Sequence, residues 1–161
     1  MNRILLEQML HKMRSFLIKG KNIGDLKIGA LYALGNQLDA VYYFVGHELG
    51  STIETGRDHI VDTSILIETL KNFSKKYHIG NMIIDEYNDE HITFDLEDCP
   101  TCKEIEVPST EISQGFCSFE AGLFAGLVEK LTGKHCFAQE LECKLQNKSP
   151  NCKFMIVIPK D

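Results

Sequence analysis

Six cysteines stand at positions 99, 102, 117, 136, 143 and 152 of a 161-residue chain, and none lies before residue 99. Thiols at that density serve as metal ligands, as redox pairs or as small buried apolar side chains. The N-terminus, MNRILLEQMLHKMRSF, interrupts its apolar residues with charge every few positions and does not read as a secretory signal. A reducing, cytoplasmic setting is therefore expected, in which three structural disulfides would not persist. The clustering favours a metal, and zinc is the ion expected.

Cys99-Pro100-Thr101-Cys102 is a CxxC whose two thiolates can grip one zinc because a tight turn brings them together. Cys143 and Cys152 flank a polar loop, so a returning chain can also bring them together. These four form one candidate zinc site. A redox role for the CxxC would want it at a helix N-terminus after a strand, yet it lies between the acidic Asp95–Asp98 and Lys103–Glu106, where no helix is expected to start. A further constellation is Cys117, Glu140, Cys143 and Cys152. Cys117 falls at the start of an expected helix, whose positive dipole end favours a thiolate. Glu140 and Cys143 are three apart on an expected strand, which places them on opposite faces unless the strand ends or bulges between them. On the residues alone the all-cysteine set ranks first.

The elements that must position these groups follow from periodicity. Ile4, Leu5, Met9, Met13, Phe16 and Leu17 give an amphipathic helix over 3–19. Asp25 can cap a second helix that runs on through Tyr42, Phe44, Val45 and Leu49, with Gly46 and Gly50 marking bends or close packing. A third follows Asp62 or Thr63, with Ile65, Leu66, Leu70, Phe73 and Tyr77 at helical spacing. The period then changes to two. Met82–Ile84 and Ile92–Leu96 read as a hairpin about Tyr87–Glu90. Phe116–Leu131 returns to helix, Cys136, Ala138 and Leu141 open a strand, and Lys153–Ile158 closes the chain with another across the polar loop Gln146–Asn151. The expected fold is one α+β domain over 1–161. Its helical part is 1–78 and its sheet and metal-site part is 79–161. N-terminal helices should pack on a four-stranded antiparallel sheet of two hairpins joined by a helix.

A composition of 43% hydrophobic and 25% charged residues is that of a folded globular chain, and no apolar run is long enough for a membrane span. The net charge of −6 argues against nucleic-acid binding. Residues 1–21 carry Arg3, Lys12, Arg14, Lys19 and Lys21 against Glu7, whereas residues 85–111 are strongly acidic with Lys103 their single base. Both read as solvated faces, or as complementary surfaces of a homodimer in which the 3–19 helix packs across a two-fold.

The candidate ligand-contacting residues are Tyr43, Phe44, His47, Phe116, Phe119 and Leu123. Apolar and aromatic side chains line pockets and fill cores alike, and His47 can be a core-edge histidine or the polar anchor of an apolar pocket. No glycine-rich phosphate loop and no activated nucleophile is present, so an enzyme is not the expected class.

The segment FCSFEAGLFAGLVEKLTGKHCFAQELECKLQNKSPNCKFMIVI resembles the core signature of the 4-vinyl reductase (hydrocarbon-binding) domain family, with Cys117, Gly122 and Gly126, Glu140, Cys143, Cys152 and Phe154 at its positions. The loop between Cys143 and Cys152 lacks the Gly-Asp that many members carry. The resemblance implies helices on an antiparallel sheet with an apolar pocket between them. It also implies a zinc site at Cys117, Glu140, Cys143 and Cys152, which reverses the ranking above and leaves Cys99 and Cys102 as secondary candidates and Cys136 as a buried thiol. The function implied is binding of an apolar or aromatic small molecule by a zinc-stabilised sensor or carrier, acting through an unidentified signalling partner or a dimer. The alternatives are an accessory enzyme of tetrapyrrole or aromatic reduction, and a structural adaptor resembling Golgi-trafficking subunits.

Overall fold

The computed structural model describes residues 37–57, 59–102 and 116–160. The helix expected over 3–19 and the start of the second lie outside the described residues. Within them, α1 (Gln37–Thr52) and α2 (Thr63–Lys76) precede a hairpin of β1 (Asn81–Tyr87) and β2 (His91–Glu97). Then come α3 (Ser118–Thr132), β3 (Phe137–Glu142), the short α4 (Lys144–Asn147) and β4 (Cys152–Val157). The four strands form one antiparallel sheet in the order β1-β2-β4-β3. The α+β architecture expected from the periodicity is the one found. The chain between Cys143 and Cys152, expected to hold a polar hairpin loop at Gln146–Asn151, contains α4, which starts where the Cys143 carbonyl accepts from the Gln146 and Asn147 N–H groups.

Strict alternation drives the sheet onto the helices. Ile92, Phe94 and Leu96 of β2 and Cys152, Phe154 and Ile156 of β4 are buried, and the residues between them are partly or fully exposed. Phe94 stacks on Phe154 at 5.4 Å between centroids and meets Phe124 of α3 edge-on at 5.1 Å. α2 adds Leu66, Ile67, Leu70 and Phe73 to the same core. Its start is set by Asp62, whose carboxylate accepts from the Ser64 and Ile65 N–H groups at 2.8 and 3.4 Å. Asp62→Ala should cost about 1 kcal/mol, read as a lowered midpoint in thermal denaturation.

α1 lies across α3 at backbone contact. Gly46 faces the Phe119 carbonyl and Gly50 the Leu123 carbonyl, while Gly122 faces the Tyr43 carbonyl and Gly126 that of His47. A Cβ on any of the four would collide with backbone. The two glycines of α1 thus mark close packing, not bends. Away from this contact, Val41, Phe44, Val45 and Leu49 form a half-exposed apolar stripe along α1, with Phe44 67% exposed.

Candidate metal centre and adjoining cavity

Both edge strands are irregular, and one irregularity builds the site. The β3–β4 register shifts between Glu140 and Glu142, and β3 ends at Glu142. Cys143 therefore leaves the strand as the N-cap of α4, with its N–H bonded to Asn147 Oδ1 at 3.0 Å. The objection that Glu140 and Cys143 must face opposite ways is removed by that bulge. Cys152 opens β4 opposite Leu96, and Cys117 is the N-cap of α3. The Cys117 N–H donates to Glu140 Oε2 at 2.8 Å.

The structure brings Cys117, Glu140, Cys143 and Cys152 together, with every ligand atom within 4.8 Å of the others. It brings Cys99, Cys102, Cys117 and Cys152 equally close. The CxxC thus joins Cys117 and Cys152, a set that neither sequence-derived grouping contained. Sulfur–sulfur distances are 3.1 Å for Cys102–Cys117, 3.6 Å for Cys99–Cys117 and for Cys102–Cys152, and 3.7 Å for Cys117–Cys152. Tetrahedral zinc with bonds near 2.3 Å separates its sulfurs by about 3.8 Å. Cys136 is buried elsewhere, its thiol donating to the Lys134 carbonyl at 3.1 Å.

Burial, with neighbouring thiols adding to it, holds Cys117 well above the ordinary thiol range. Hydrogen bonding from Cys102 and then Cys117 holds Cys99 and Cys143 below it. The thiols therefore share protons as one unit. Burial, and then the neighbouring Cys143, push the Glu140 carboxyl up to about 9. A bound cation inverts that balance, since it favours every anionic ligand at once. Glu140 Oε1 is buried without a hydrogen-bond partner, so a ligand atom is left over for such an ion. The donor set fits zinc.

Two groups that the sequence did not flag support the CxxC. Thr101 donates to the buried Glu120 carboxylate of α3, and the Cys102 N–H closes a turn onto the Cys99 carbonyl at 3.0 Å. A glutamate in a first helical turn is ordinarily a solvated complement to the dipole, so nothing in its spacing marked it out.

Beside the cysteines, an open cavity of about 300 Å³ lies between α1, the start of α3 and β3. Asp39, Tyr43, Ser118, Ala121, Phe137 and Glu140 are among its walls. Ser118 Oγ is buried and unpartnered. Of the six residues singled out for ligand contact, Tyr43 lines this cavity, and its hydroxyl accepts from the Ala138 N–H at 3.1 Å. Phe116 and Leu123 are buried in the core, Phe119 packs against it, and Phe44 lies on the exposed stripe of α1. His47 Nε2 meets Glu129 Oε2 at 3.3 Å, and His135 reaches the same oxygen at 2.7 Å. A larger cleft of about 640 Å³ lies away from the cysteine cluster's β3 side, with Lys71, Lys75, His78 and Asp98 in its walls beside Met82 and Pro100.

Known structures share this architecture. The phenol-responsive sensory domain of the transcription activator PoxR, solved with phenol, superposes at a TM-score of 0.61 over 84% of this chain and 72% of that one, with 16% identity. A vinyl-4-reductase family protein from Methanocaldococcus jannaschii matches at 0.54 with 19% identity, over 99% and 98% of the two chains. A trafficking protein particle complex subunit 3 from Naegleria fowleri, covalently bound to palmitic acid, matches at 0.58 with 13% identity, over 96% of each. The fold is common to all three. In sequence, three uncharacterised proteins of M. jannaschii are 29, 27 and 24% identical over 83, 76 and 73% of this chain. The chain spans 72, 66 and 56% of their lengths. No family model matches it.

Proposed function

We propose that this chain is a binding module for an apolar or aromatic small molecule, held in shape by zinc at Cys117, Glu140, Cys143 and Cys152. The observation that carries the reading is the cavity against the cysteine cluster, walled by Tyr43, Ala121 and Phe137, with the orphaned Ser118 hydroxyl available to orient a ligand's polar end. An apolar site with few polar groups is the usual design of a small-molecule pocket, and about 300 Å³ is the low end of the usual range. The phenol held by the PoxR sensory domain, on the same fold, supports a ligand of that class.

Native mass spectrometry of freshly purified protein, followed by calorimetric titration with phenol, tests it. Ala40→Phe, at an exposed position lining the cavity, should weaken phenol binding at least tenfold and leave metal content unchanged. A chain that carries no small molecule and is indifferent to phenol would favour the structural-adaptor reading, which the likeness to the trafficking subunit supports.

The half-exposed α1 stripe supports self-association as well, with residues 3–19, expected from their spacing to be helical, contributing and Arg14 or Lys19 meeting acids of a second copy. Deleting residues 1–19 should convert dimers to monomers or aggregates, and an unchanged sedimentation profile would refute it. A reducing cytoplasm suits a site built from free thiols. No helix among the described residues is long and apolar enough to cross a membrane.

A further inference from the structure

The cysteine cluster offers more donors than one ion can use. Five thiols and one carboxylate fall into two groups of four that share two members, Cys117 and Cys152. We propose that the cluster is a dinuclear, thiolate-bridged centre. One divalent ion is held by Cys99, Cys102, Cys117 and Cys152, the other by Cys117, Glu140, Cys143 and Cys152, with the sulfurs of Cys117 and Cys152 bridging. This rests on the reading of the cluster as a metal site and adds a second ion and two ligands to it.

The coordination count closes: six donors, two of them shared, give each ion four ligands, the number preferred at closed zinc sites. The topology supports the same division. In the strand order β2-β4-β3, Cys152 opens the middle strand. The CxxC follows β2 on one side, and Glu140 and Cys143 come from the end of β3 on the other. Cys117 enters above them from the helix that packs on this sheet, and its sulfur lies 3.7 Å from that of Cys152. The shared edge therefore sits between the two outer pairs. Each outer pair is delivered as a unit, one by the tight turn closed from Cys102 N–H to the Cys99 carbonyl, the other by the β3 bulge.

Local support falls on the bridging sulfurs. Cys117 is the N-cap of α3, where the helix dipole favours negative charge. Cys152 Sγ accepts from the Lys144 N–H at 3.5 Å. Charge argues the same way. Fully ionised, the six donors carry six negative charges in a buried site, and two divalent ions offset four of them where one offsets only two. The rival geometry is a single ion taking thiols from both sides, because Cys102 also lies 4.0 Å from Cys143.

The test is metal stoichiometry on the full chain, kept reduced, stripped of metal and reloaded with zinc or with cadmium-113. Elemental analysis and native mass spectrometry should find two ions per chain. The Cys99→Ser/Cys102→Ser and Glu140→Gln/Cys143→Ser double variants should each retain one. Cadmium-113 NMR of the wild-type chain should show two resonances of equal intensity, split by coupling through the shared thiolates, a readout that needs no variant to fold. One ion per chain, or one cadmium resonance, overturns the bridged centre and leaves a mononuclear site standing. A chain that takes up no ion sinks the metal reading altogether.

Discussion

Gly122→Ala and Gly126→Ala are each expected to destabilise the domain by about 3 kcal/mol or more, toward the upper end of overpacking costs. On a chain of this size that lowers the thermal midpoint by roughly 6–12 °C, and the double variant should fail to fold. Helix propensity alone predicts the opposite sign, because alanine is favoured over glycine within a helix by about 1 kcal/mol. The reversal comes from the Tyr43 and His47 carbonyls of α1, which occupy the space a Cβ would need. These are backbone atoms, so relief requires the two helices to separate along their whole contact. Gly56→Ala is the control: it sits at φ +71° with nothing near its absent Cβ, and should cost only the left-handed strain of about 1–2 kcal/mol. Equal losses at Gly56 and Gly122 in thermal or denaturant unfolding would remove the close-approach argument.

The second large effect is expected from the ion proposed at the cysteine cluster. Stripping it with a strong chelator should lower stability by several kcal/mol, because an ion that binds the folded chain alone stabilises it by mass action, and structural zinc binds tightly. The segments that meet at the cluster are also joined by the sheet, by the shared core and by the Glu140–Cys117 and Thr101–Glu120 contacts, none of which holds the thiols as an ion would. Cys143→Ser should reduce metal content and thermal midpoint together. Cys136→Ser should leave metal content unchanged, since that thiol bonds the Lys134 carbonyl and joins neither ligand group. Scanning calorimetry beside elemental analysis separates the two. A Cys136 variant that lost metal, or a Cys143 variant that kept it at full stability, would contradict the assignment.

Much of the fold was legible because it rests on local rules. Asp62 before an apolar-periodic run announces a helix start, and Ile92, Phe94 and Leu96 alternating with Thr93 and Asp95 announce a half-buried strand. What sequence could not show was decided by contacts distant along the chain. Ranking Cys117 against the CxxC posed a choice the fold does not make, since β4 opens between the two contributing chain ends and both reach Cys152. The β3 bulge that lets Glu140 join Cys143 is a matter of pairing register with β4 and leaves no compositional trace. Glu120 is buried and accepts from the Thr101 hydroxyl, a contact set by tertiary structure. α4 was missed because its four residues are too few for a period to show.

The irregular outer strands have a consequence for how copies of this chain can meet. An outermost strand normally presents a row of free backbone groups onto which another chain can add as a further strand, the first step toward fibres. Here β1 is kinked between Ile84 and Glu86, and β3 between Glu140 and Glu142. The Ala138 N–H on β3 is already taken by the Tyr43 hydroxyl. A neighbour's backbone would find its ladder interrupted on either flank. Open-ended growth of the sheet by strand addition at β1 or β3 is thereby discouraged.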